Sequence, residues 1–193
     1  MTALVDLLKA ILTFLRYVAA PLVAVVVVWV ADDNHDVIRA TMDAFAGLSQ
    51  TQMFWLAGAF VITLGVTSYY LHRIVVHRIA NEIVMSIARH HLKSSITTED
   101  CAFARWERRA DTSSGRHAQK ALDEMNTSVH FFYSSAVASI VLVVILKAVV
   151  PDQFHPKWPL LGVVVLTLGA VALWGDYQAA VFDIRAYEKY SKK

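Results

Sequence analysis

The side chains of this 193-residue chain best placed for chemistry are ionisable groups at the edges of long apolar stretches. His72 follows the run MFWLAGAFVITLGVTSYYL, and Asp176 follows VVVLTLGAVALWG. Each ends a seven-residue series on one helix face: Gly58, Gly65 and His72 in the first, Gly162, Gly169 and Asp176 in the second. Ionisable groups beside hydrocarbon are costly unless paired or wetted, so this histidine and carboxylate are expected to form a polar boundary pair or to meet headgroup water.

A second chemistry uses His72 with His130. The two stand at the same expected depth, as axial haem ligands from neighbouring helices must, and Ser134 and Ser135 leave little bulk nearby. No other haem signature accompanies them. The expectation is therefore of no cofactor, with His72 and His130 as the alternative haem or quinone electron-transfer reading. No metal site is expected. His90 and His91 are adjacent and diverge on a helix, and His72 and His77 stand about 140° apart if the helix is a regular α-helix.

A third feature is basic. ARWERRAD contributes Arg105, Arg108 and Arg109, and Arg116 and Lys120 follow. Clustered arginines recognise lipid headgroups or other anions, although Glu107 and Asp111 dilute this patch. The chain contains no phosphate-binding glycine loop, dinucleotide fingerprint, HExxH or GxSxG, and so no enzyme is expected. Its single cysteine, Cys101, permits no intrachain disulfide or thiolate cluster. A net charge of +2 is too small to suggest nucleic acid as a partner.

The elements that carry these residues are membrane helices. Hydrophobic residues make up 56% of the chain and charged residues only 18%, with a mean hydropathy of +0.46. Four stretches approach the roughly 20 residues a helix needs to cross a bilayer: Leu12 to Ala31, Met53 to Leu71, Val129 to Val150, and Trp158 to Gln178. Their apolar character is continuous and does not alternate, which argues against barrel strands. Trp55, Trp158, Tyr69, Tyr70, Trp174 and Tyr177 supply aromatic belts.

Basic residues fall heavily on one side, including Lys9, Arg16, Arg73, Arg78, Arg89, Arg185 and Lys189, whereas Asp32, Asp33, Asp36 and Asp152 mark the other. The positive-inside rule then places both termini and the segment 72–128 in the cytoplasm of a cell whose inner membrane holds the chain. At the N-terminus, Asp6, Lys9, Thr13 and Arg16 share a helix face opposite Leu4, Leu8 and Leu15. That pattern describes a retained amphipathic lead-in and not a cleaved signal peptide.

The expected fold is an all-α membrane protein of four transmembrane helices arranged as two hairpins. Residues 1–71 form the amphipathic lead-in and first hairpin, 72–128 a cytoplasmic helical stalk, and 129–193 the second hairpin with a C-terminal helix. In the stalk, Val75, Ile79, Ile83 and Ile87 recur every four residues, and TTED starts a new helix with Thr97 or Thr98 as its cap. The octapeptides GAFVITLG (Gly58 to Gly65) and GVVVLTLG (Gly162 to Gly169) share five positions, marking corresponding depths in the two hairpins. Gly58, Gly65, Gly162, Gly169, Ser135 and Ser139 are small residues of the kind that pack membrane helices together.

The functional expectation is a non-enzymatic, homo-oligomeric ion channel or membrane-permeabilising effector controlled through its cytoplasmic helices. A protein partner or an anionic ligand at the stalk is compatible with this. The alternative is an accessory or scaffold subunit of a larger membrane complex.

Overall fold

The computed structural model describes residues 2–33, 36–101 and 113–191, with the backbone alone for 2–16, 38, 42, 44, 113–125 and 189–191. All regular elements among the described residues are helices, and the sole β feature among them is an isolated bridge between Asp32 and Pro156. The helices are α1 (Thr2–Ala31), α2 (Asp36–Phe45), α3 (Gln50–Leu71), α4 (His77–Leu92), α5 (Ser113–Val149) and α6 (Trp158–Ser191). A π-helical segment, His72–Val76, joins α3 to α4. Among the described residues, three stretches are long and apolar enough to cross a membrane, Gln50–Leu92, Asn126–Val149 and Trp158–Glu188, and Tyr17–Ala31 is a shorter apolar helix.

Local chemistry explains several helix ends. Ser49 caps α3 through a capping box, accepting from the Gln52 amide while the Gln52 side chain accepts from the Ser49 amide. Lys93 ends α4 in the left-handed conformation, at φ 50°, and the Ser94 amide donates to the Arg89 carbonyl. Arg89, His90 and His91 fill the last turn of α4, where cations suit the helix dipole. Thr97 then starts the next helical turn. Its hydroxyl accepts from the Asp100 amide, while its own amide and hydroxyl donate to the Asp100 carboxylate at 2.8 and 2.7 Å.

The chain forms two compact units. The first comprises Met1–His72 with Phe131–Gly169, and the second Arg73–His130 with Ala170–Lys193. This grouping differs from the chain-order segments 1–71, 72–128 and 129–193, because α5 and α6 each contribute residues to both units.

In the first unit the core gathers Ala24, Val28 and Ala31 of α1, Leu64 of α3, Ala138, Leu142 and Val143 of α5, and Phe154 and Leu161. Small residues dominate because helix backbones associate in lipid through close packing. Gly65 packs directly on α1, where a β-carbon would collide with the Tyr17 carbonyl and come within 3.2 Å of the Pro21 ring. Ser135 and Ser139 are fully buried, and their hydroxyls return to the Phe131 and Ser135 carbonyls at 2.9 and 2.8 Å. Large apolar side chains point outward instead: Phe54, Trp55, Trp158, Val163 and Leu166 are all more than half exposed. Such an inverted distribution suits a lipid surround.

A polar clasp closes one end of this unit. The buried Asp32 carboxylate accepts from the Val37 amide at 3.3 Å and the His155 amide at 3.4 Å. The Asp33 amide donates to the His155 carbonyl, and the Lys157 amide to the Ala31 carbonyl at 2.7 Å. Nearby, Lys147 donates to the carbonyl of the fully buried Phe154 at 2.6 Å, its ammonium 5.6 Å from the Phe154 ring centre.

In the second unit the core is formed by Val84, Met85 and Ala88 of α4, Cys101, and Ala180, Val181 and Ile184 of α6. Leu92, Ile96 and Tyr177 pack around it. Cys101 is thus a small core residue.

Candidate functional site

Buried polar side chains occur in both units. In the first, α3 delivers His72 to a fully buried position, and its amide donates to the Ser68 and Tyr69 carbonyls. The imidazole stacks on Tyr133, with ring centres 5.4 Å apart and planes within 20°. Tyr69 meets it edge-on at 5.9 Å, and the Ser134 hydroxyl lies 3.4 Å from its Nδ1, at the long end of hydrogen bonding. Tyr69 in turn meets Tyr17 of α1 edge-on at 5.1 Å. This packing holds the ring in one orientation. One turn earlier, the Ser68 hydroxyl is fully buried and has no hydrogen-bond partner among the described residues.

In the second unit, Asp176 of α6 is 6% exposed, and its Oδ2 lies 3.8 Å from Nδ1 of the half-buried His77 at the start of α4. His77 meets His130 of α5 edge-on, with ring centres 4.8 Å apart. Gly175 makes this approach possible: a β-carbon there would come within 2.5 Å of a Val129 methyl. The glycine and valine are the chain neighbours of Asp176 and His130, so their contact sets those two side chains on adjoining backbones. One helical segment further along α6, Asp183 is also fully buried.

The π segment explains why His77 is difficult to place from sequence. In π geometry, hydrogen bonds run from i to i+5, so residues five apart turn toward one face. The separation of about 140° expected between His72 and His77 assumes a regular α-helix, which the segment His72–Val76 is not. HRIVV contains no glycine or proline to signal the change.

The structure places the other expected residues as follows. His72 belongs to the first unit, and His130 and Asp176 to the second, where the partner seen for Asp176 is His77. Gly65 faces α1, whereas a β-carbon at Gly58, Gly162 or Gly169 would meet nothing within 4 Å among the described residues. Arg105, Arg108 and Arg109 lie outside the described residues, as do the side chains of Arg116 and Lys120. The clasp at Asp32 and the Lys147–Phe154 contact were not anticipated. The adjacent acids Asp32 and Asp33 and a lysine seven residues before an aromatic were their only signals.

Electrostatics outside the apolar stretches are local. Lys157 lies 2.7 Å from the Asp33 carboxylate, and its hydrogen bond and charge hold that carboxyl below its ordinary range. The Thr97 hydroxyl and amide do the same for Asp100.

By length and composition the three long apolar helices are those of a membrane protein, and the described chain is all-α. Compared with protein families, curated proteins and solved structures, the chain matches none.

Proposed function

We propose that the chain is a four-span membrane protein that assembles with copies of itself and acts as an ion channel or membrane-permeabilising effector. Its segment 72–128 and both termini lie in the cytoplasm, and control is exerted through that segment. The observation that carries this reading is the exposed face of α4. Ile79, Ile83 and Ile87 are more than half exposed, and Ile74 and Val75 precede them with exposures of 67% and 50%.

Lipid does not suit the whole of this face. The stretch Gln50–Leu92 has 43 residues, roughly 64 Å of helix at 1.5 Å per residue, against about 30 Å of hydrocarbon. Arg78, Glu82 and Arg89 alternate with the isoleucines, and charges of that density avoid acyl chains. The i, i+4 row forms a ridge suited to the groove of an identical helix, and a symmetric pair of such ridges buries itself. The open glycines Gly58, Gly162 and Gly169 supply further flat surface for close helix approach between copies. The 30 residues of α1 exceed the length of a span, and its exposed Leu22, Val26, Trp29 and Val30 suit lipid, which supports counting it as the fourth.

The test is the mass of the purified protein in detergent, measured by light scattering with the detergent contribution subtracted. The wild type is expected to run as a defined oligomer and I79S/I83S/I87S as a monomer with unchanged helix content. A monomeric wild type would remove the self-assembly on which the reading depends. Stoichiometric co-purification of a different protein would favour the scaffold reading.

A further inference from the structure

We propose that His77, His130 and Asp176 form a binding site for a divalent transition-metal cation, zinc above all. The proposal concerns the second unit alone and stands whether or not the chain assembles or conducts ions.

Two imidazoles and a carboxylate are borderline ligands of the kind zinc takes, and three protein ligands leave one position for water or another ligand. Tetrahedral zinc with bonds of 2.0–2.2 Å sets neighbouring ligand atoms about 3.4 Å apart. The 3.8 Å between His77 Nδ1 and Asp176 Oδ2 is too long for a good hydrogen bond but is close to that spacing. A ligand nitrogen of His130 lies within 4.8 Å of one on His77, which places the second imidazole beside the His77–Asp176 pair. Each ligand comes from a different helix, α4, α5 and α6, so a bound cation would tie three elements of the unit together.

The backbone is already arranged for this. Gly175 against Val129 brings α6 and α5 closer than any β-carbon allows, and Asp176 and His130 follow immediately in sequence. Asp176 is more than nine-tenths buried, where a divalent cation with two neutral imidazoles compensates a carboxylate well.

The experiment uses the full-length protein in detergent, stripped with a chelator and titrated with zinc and, separately, cobalt. One zinc per chain is expected, with visible cobalt bands of tetrahedral character that zinc abolishes. His77→Ala, His130→Ala and Asp176→Asn should each weaken binding by at least about tenfold, since loss of outer-shell partners alone costs 10–100-fold. His90→Ala and His91→Ala, exposed histidines further along α4, should leave it unchanged. Equal zinc binding by the wild type and the three ligand variants would overturn the proposal. So would absence of the cobalt bands in the wild type, a result that does not depend on any variant folding.

Discussion

Gly65 of α3 lies so close to the Tyr17 carbonyl of α1 that a single β-carbon would collide with backbone. The neighbouring Pro21 ring blocks the simplest retreat, so the two helices would have to separate. Gly65→Ala is therefore expected to destabilise the protein by about 1–3 kcal/mol, the usual range for overpacking. Made alongside it in the same monomeric I79S/I83S/I87S background, Gly58→Ala and Gly169→Ala, whose β-carbons would meet nothing within 4 Å among the described residues, should not lower the thermal midpoint. Thermal unfolding in detergent compares the three directly, and equal midpoints would show that α1 does not hold α3 this closely.

The buried Asp32 carboxylate accepts the Val37 and His155 amides. Asp32→Ala leaves both amides without this acceptor, and each buried donor left unsatisfied costs about 1–3 kcal/mol. Amide hydrogen exchange at Val37 and His155 should quicken in the variant, while exchange in the second-unit core at Val84 and Ile184 should not. Unchanged protection at Val37 and His155 would mean that the clasp is held by other bonds.

Much of the architecture was legible because apolar length and cap chemistry are local properties. The long helices follow from uninterrupted apolar runs, and Thr97 with Asp100 is a visible capping pair. Other features depend on which backbone lies opposite. Gly58 and Gly65 are one heptad apart on the same helix face, yet among the described residues α1 packs against Gly65 and nothing lies within 4 Å of a β-carbon at Gly58. Asp32 reads as one acid among several in a polar loop, and its role emerges only when the 150–157 connection supplies the His155 amide. His77 reads as one histidine among several in a basic helix until α6 presents Asp176 to it.

Asp100 gives the cap at Thr97 a defined pH dependence. Its folded carboxyl is held below the ordinary 3.8, first by the Thr97 hydroxyl and then by the Thr97 amide. Its contribution is present in full above the ordinary value and is lost as pH falls through the lowered folded value. Thr97→Ala should move the Asp100 titration, followed by carboxyl-carbon NMR, upward toward 3.8. A titration indifferent to that substitution would show that the hydroxyl does not hold the carboxylate.

The central claim is that copies of this chain, joined through the isoleucine face of α4, open a path for ions. The most direct measurement is ion release from proteoliposomes containing only the purified protein, with I79S/I83S/I87S reconstituted at matched density and orientation. The account predicts release from the wild type and loss of at least about nine-tenths of it in the variant, as expected when assembly itself forms the path. Equal release from both, or no release from an oligomeric wild type, would contradict it.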